Sequence, residues 1–302
     1  MIDVRGLTKR YGPDTVVDDL SFTVEAGQVT GFLGPNGAGK STTMRMILGL
    51  AAPTSGSATV GGRRYRDLPA PLTEVGALLD AGAVHGDRKA RDHLLALAVG
   101  SGLPRRRVDE VLARTGLEGV AGRRAGGFSL GMRQRLGIAA ALLGDPRVLI
   151  FDEPVNGLAP EGIRWIRGFM RSLAREGRAV LVSSHLMSEM AQTADHLVVI
   201  GRGRLVADTS VSEFLRGSGE GTVLVRTGEP AAFTPLLTAA GATVREGPES
   251  SLVVSGLTGE EIGKLAAYHG VALSELTPRR PSLEDAFMEL TRDSVEYRGV
   301  TA

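Results

Sequence analysis

Cysteine is absent from this 302-residue chain, which excludes disulfides, thiolate metal sites and cysteine nucleophiles while leaving the redox compartment open. No stretch reaches ~18 uninterrupted apolar residues, and Met1-Ile2-Asp3-Val4-Arg5 offers neither a long apolar core nor a small-residue cleavage site. The sequence therefore predicts a soluble chain without a secretory signal, whose membrane role, if it has one, goes through a partner. Excess charge is missing too: 35 basic residues face 34 acidic ones for a net +1, with no basic arm, so nucleic acid is not an expected partner. Lysine is scarce, confined to Lys9, Lys40, Lys89 and Lys264, a bias that carries no mechanism by itself. His85, His93, His196 and His269 show no zinc-type spacing and are read as non-metal residues.

What is present is a phosphate cradle. Gly34-Pro35-Asn36-Gly37-Ala38-Gly39-Lys40-Ser41 fits G-x-x-x-x-G-K-[ST], after the apolar run Val29 to Leu33 and before the helix-like Thr42 to Leu50. The glycines let backbone N–H groups close round phosphates, Lys40 reaches the β/γ oxygens, and the Ser41 hydroxyl can join a Mg²⁺ shell. The candidate nucleotide-binding set is thus Gly34, Pro35, Asn36, Gly37, Ala38, Gly39, Lys40, Ser41 and Thr42. A chain built this way binds a nucleoside triphosphate.

The length suits two modest domains. Short alternating segments, Ile2 to Val4 and Leu20 to Val24, predict a small antiparallel sheet before the loop. Compact β-rich runs at Val75 to Leu79, Val148 to Phe151 and Ala179 to Ser183, with helical patterns between, predict a parallel α/β sheet. Residues 86–145 read as a helical insert, through Arg91 to Val99, Val108 to Thr115 and Leu130 to Leu143. A hairpin at Leu197 to Ala207 ends the first domain, which is expected to span 1–215. A Gly-rich linker, 216–221, then precedes a small α+β domain over 222–302. There, strand Thr222 to Arg226, helix Pro230 to Ala240, strands near Ala242 to Arg245 and Ser251 to Val254, helix Gly259 to His269 and strand Val271 to Glu275 give the βαββαβ order of a ferredoxin-like fold. Ser282-Leu283-Glu284-Asp285 resembles a capping box opening a last helix to about Leu290.

Val148 to Phe151 empties into Asp152 and Glu153. A strand buried on both faces delivers such acids at the carboxyl edge of the sheet, beside the phosphate loop. Asp152 is then the Mg²⁺-side acid and Glu153 the candidate base that polarises an attacking water. Over residues 1 to about 215 the chain resembles the ATP-binding subunits of ABC transporters, a P-loop NTPase cassette, and further motifs match in order. Tyr11 takes the place of the aromatic that stacks on adenine in that family. Phe128-Ser129-Leu130-Gly131-Met132-Arg133-Gln134-Arg135 stands where the family has its signature, usually Leu-Ser-Gly-Gly-Gln. Ser129 and Gly131 keep the hydroxyl and the unhindered backbone of a helix start, where N–H groups favour a γ-phosphate. His185 fits the family's switch histidine, contacting the γ-phosphate and orienting water with Glu153. The resemblance implies ATP and Mg²⁺ as cofactors, and hydrolysis in a dimer where each signature faces the other cassette's loop, with a second copy or a paralogue.

Three departures bear on coupling. Asp80 stands where glutamine usually touches Mg²⁺ and the water; as an acceptor it can face Mg²⁺ but cannot donate as an amide does. Leu130 and Met132 replace the signature's usual Gly and Gln, and Ala159 follows Asn156-Gly157-Leu158 where the family commonly has aspartate. Lys40, Asp152 and Glu153 are untouched, so hydrolysis is still expected. The run from Gly131 to Leu136 and the Ser-Leu-Glu-Asp segment are similar to the daunorubicin-resistance branch. This implies an ATPase subunit on the inner, cytoplasmic face of a membrane, powering efflux of a drug, antibiotic or other hydrophobic compound through a separate transmembrane permease. A non-transport ABC ATPase and a regulatory nucleotide sensor are the rival readings.

Overall fold

The computed structural model describes residues 1–217 and 221–279, which divide into one compact unit over Met1–Val211 and a second that starts at Ser212. The first unit opens with β1 (Ile2–Tyr11) and β2 (Asp14–Val24), followed by β3 (Val29–Leu33), α1 (Lys40–Ile47), β4 (Ser55–Val60), α2 (Pro71–Glu74) and β5 (Val75–Leu78). Helices α3 (Ala90–Gly100), α4 (Arg106–Arg114) and α5 (Leu130–Ala141) form the expected insert. The chain returns through β6 (Val148–Phe151), α6 (Pro160–Arg175), β7 (Ala179–Ser184), α7 (Met187–Thr193), β8 (His196–Gly201) and β9 (Arg204–Ser210), and α8 (Val211–Gly217) follows.

Two sheets result. β2, β1 and β4 make a three-stranded antiparallel sheet in that order. A six-stranded sheet runs β5-β6-β7-β3-β8-β9, parallel except for the β8–β9 hairpin. Every residue of β3, β6 and β7 is buried, as continuous apolar strands covered on both faces must be. The two sheets share one core, in which Phe22 of β2 stacks on Phe32 of β3 with ring centroids 5.3 Å apart. The helical insert is fastened to the sheet by close backbone approach: a Cβ on Gly76 of β5 would lie 1.9 Å from the Ala141 carbonyl oxygen of α5. Only glycine fits there.

The register aligns the strand ends. Leu33 pairs with Ser184, and Phe151 pairs with Val182 and Leu78, so the loops after β3, β7, β6 and β5 leave the same edge side by side. That edge carries the candidate site.

In the second unit β10 (Thr222–Thr227), α9 (Pro230–Ala239), β11 (Thr243–Glu246), β12 (Leu252–Ser255), α10 (Gly259–Tyr268) and β13 (Leu273–Arg279) form an antiparallel sheet of order β11-β12-β10-β13, the ferredoxin-like arrangement. Its core gathers Val223, Val225, Phe233, Leu237, Val254 and Ile262. Thr258 and Glu261 form a reciprocal capping box at the start of α10.

Three expectations shift. β1 runs to Tyr11 instead of ending at Val4, because bulges and Gly6 at φ +54° break the alternation without ending the pairing. β4 is absent from the sequence pattern, since Ser-Gly-Ser-Ala-Thr-Val carries little apolar signal. The last strand begins at Leu273 rather than Val271, whose N–H closes the end of α10 on the Ala266 carbonyl at 2.9 Å, past Gly270 at φ +68°. The helix expected at Ser282 to Leu290 lies outside the described residues.

Candidate active site

The phosphate loop leaves β3 pressed between neighbours. A Cβ on Gly34 would stand 2.5 Å from the Ile200 carbonyl oxygen of β8, and one on Gly39 2.7 Å from that of Val16 in β2. Gly37 and Gly39 also take φ of +81° and +101°, backbone that L side chains rarely adopt. Lys40, the first residue of α1, folds back over the loop: its Nζ donates to the Gly34 carbonyl at 2.7 Å and to that of Pro35 at 3.2 Å. The side chain is 7% exposed, and burial pulls its pKa below the usual lysine value against the opposing pull of the Glu153 and Asp152 carboxylates. Ser41 and Thr42 sit half-buried in the first turn of α1.

At the end of β6 the Asp152 N–H donates to the Leu78 carbonyl at 2.8 Å, which ties the acids to the β5 edge. Buried Ser183 of β7 is the joint between them. Its hydroxyl donates to Asp152 Oδ1 at 2.5 Å and accepts from the Glu153 N–H at 2.8 Å. Glu153 holds φ +47°, an uncommon conformation for a non-glycine residue, and the bond from its N–H helps keep it there. The carboxylate so aimed has one oxygen 3.8 Å from Lys40 Nζ and the other 2.8 Å from His185 Nδ1. Lys40, Asp152, Glu153 and His185 are therefore brought together, from three different strand ends. Ser183 was missed as a site residue because a serine inside an apolar strand carries no signal of its own; only its place one strand from Asp152 gives it a role.

The other expected residues stand at the margins. Asp80, two residues past β5 on the same edge, is exposed and accepts from the Gly82 N–H at 2.6 Å. Tyr11, at the end of β1, is 52% exposed with Lys9 Nζ 4.9 Å from its ring centroid. Ser129 is the N-cap of α5, accepting from the Met132 N–H at 3.3 Å, and Gly131 lies in the first turn. Among the described residues no hydrogen bond or ion pair links Tyr11, Ser129 or Gly131 to Lys40 or Glu153.

Residues 17–156 match the family model described as ABC transporter. The chain is 35% identical to the bacitracin transport ATP-binding protein BcrA of Enterococcus faecalis over 96% of both chains. The chain belongs to the ABC transporter ATP-binding proteins. It is also 33% identical to the Nod factor export ATP-binding protein I of Rhizobium leguminosarum bv. viciae, over 98% of this chain and 96% of the relative. A solved ATP-binding subunit of an ABC transporter superposes on this cassette with a TM-score of 0.65 at 29% identity, covering 72% of this chain and 92% of that one. The match to full-length relatives takes in the second unit, and residues 221–284 match a model described as a domain of unknown function (DUF8746). No described helix of this ABC ATPase cassette is long and apolar enough to cross a membrane.

Proposed function

We propose that the cassette hydrolyses ATP at the edge formed by Lys40, Asp152, Glu153 and His185, and that this drives export of a drug- or antibiotic-like compound through a separate membrane permease. The observation that carries the reading is the single Glu153 carboxylate reaching both Lys40 Nζ and His185 Nδ1. The roles in the relatives' names, bacitracin transport and Nod factor export, favour a transported cargo over a soluble target.

In this reading Lys40 exchanges the Gly34 and Pro35 carbonyls for the β/γ oxygens of ATP, beside the free N–H groups that open α1. Glu153 takes a proton from water as the water oxygen bonds to the γ-phosphorus and the bridging bond to ADP breaks. His185 steadies the carboxylate through the oxygen not facing the water. The residues at this edge suit Mg²⁺ by their chemistry, since a serine hydroxyl and carboxylates are the hard oxygen donors that ion takes. Ser41, Asp80 and the Asp152 oxygen not taken by Ser183 would hold it, and it would neutralise phosphate charge. Ser129 and Gly131 would serve the ATP of a second cassette, and the pair would sit on the inner face of the membrane by way of the permease.

The test is co-purification with a candidate membrane permease and ATP turnover of the pair in liposomes. Compound-stimulated turnover supports export. Turnover indifferent to any permease favours a non-transport ATPase, and ATP binding without turnover favours a sensor.

A further inference from the structure

α6 follows the loop after Glu153, and its two flanks hold different neighbours. On one flank the Arg135 guanidinium of α5 lies 4.0 Å over the Trp165 ring, while Trp165 stacks on Phe169 at 5.0 Å and Arg114 of α4 lies 5.7 Å over Phe169. Arg135 also donates to the Thr115 carbonyl at 3.1 Å, a second hold on the guanidinium. On the other flank Arg167 donates to Glu189 of α7 at 2.8 Å and to Gln192; the charged pair is only 22% and 19% exposed. Trp165 and Arg167 are two residues apart, so they project about 200° apart round the helix. α5 is the helix capped by Ser129, and α7 begins two residues after His185. The start of α5 also packs on the loop between Glu153 and α6: a Cβ on Gly157 would meet Leu130 Cδ2 at 2.9 Å.

We propose that α6 is a stiff tie between the signature and the switch histidine, with Arg135, Trp165, Arg167 and Glu189 as positioning residues for hydrolysis. The inference rests on the reading that the cassette hydrolyses ATP. A guanidinium held over an indole and a half-buried ion pair are both directional contacts. Together they let α5 move only with α6, and α6 only with the segment that carries His185. Because neither clamp involves the phosphate loop, loosening one changes turnover and leaves nucleotide affinity alone.

The experiment measures kcat and fluorescent-ATP affinity on the same preparations of full-length protein. Trp165→Leu is expected to lower kcat about tenfold at unchanged affinity, with Trp165→Phe restoring most of it, since a ring under Arg135 survives. Arg167→Glu and Glu189→Arg are each expected to lower kcat, and the double swap to recover it. Should Trp165→Leu fail to bind ATP, Arg135→Met against Arg135→Lys asks the same question through a milder change, with the lysine variant faster. Full kcat in Trp165→Leu, equal rates in the arginine-site pair, or a double swap no faster than its singles overturns the tie while the ATPase reading stands. No turnover by the wild type overturns both.

Discussion

The Lys40 ammonium and the Glu153 carboxylate face each other at 3.8 Å, with the lysine 7% and the glutamate 23% exposed. At that distance they attract but do not share a hydrogen bond; the lysine's bonds go to the Gly34 and Pro35 carbonyls. A triphosphate would offer the buried amine a stronger partner than two neutral carbonyls do, so in the proposed reading binding would redirect Lys40 and leave that oxygen of Glu153 open to water.

Burial depresses the Lys40 pKa from the ordinary lysine value, and in the proposed reading phosphate binding would raise it again because the charged form is the one that binds. The sign follows: ATP binding takes up a proton at alkaline pH, and affinity falls as pH rises through the depressed pKa. A fluorescent-ATP titration from about pH 7 to about pH 10 should show this fall, and Lys40→Arg should flatten it, since arginine stays charged there. Lys40→Ala should lose nucleotide affinity at every pH.

Ser183→Ala removes the acceptor of the Glu153 N–H and the donor to Asp152 in one step. The orphaned, part-buried N–H should cost about 1 kcal/mol, read by thermal denaturation. Turnover should fall about tenfold, because Glu153 loses the bond that holds its left-handed backbone. Ser183→Thr keeps both bonds and should recover activity if the extra methyl is accommodated; full activity in Ser183→Ala would contradict the joint.

The loop glycines should rank by what surrounds them. Gly39→Ala combines φ +101° with a backbone oxygen 2.7 Å from the new carbon, whereas Gly37→Ala meets nothing within 4 Å and bears only the strain of φ +81°. Melting curves should place Gly39→Ala below Gly37→Ala by about 2 kcal/mol or more, and equal stabilities would contradict the packing.

The phosphate loop, the Asp152-Glu153 pair and His185 were legible because each ends a continuous apolar strand, and parallel strands in one sheet bring such ends to one edge. Side chains whose roles depend on a neighbouring strand were not legible: Ser183 has meaning only through the β6–β7 register, and Trp165 only through Arg135, thirty residues away in the chain. Weakly apolar β4 and bulged β1 were hidden or shortened because local pattern decides little where cross-strand pairing does the holding. In the second unit the βαββαβ order was readable from alternation alone, while the start of β13 was displaced by a helix cap that uses the Val271 N–H.

The most direct measurement is steady-state ATP turnover by Glu153→Gln beside its affinity for a fluorescent ATP analogue. The amide keeps the shape and removes the base, so binding should persist while turnover falls by about 10²-fold or more. Turnover near the wild-type rate would remove Glu153 from its role, and with it the chemistry assigned to this edge of the sheet.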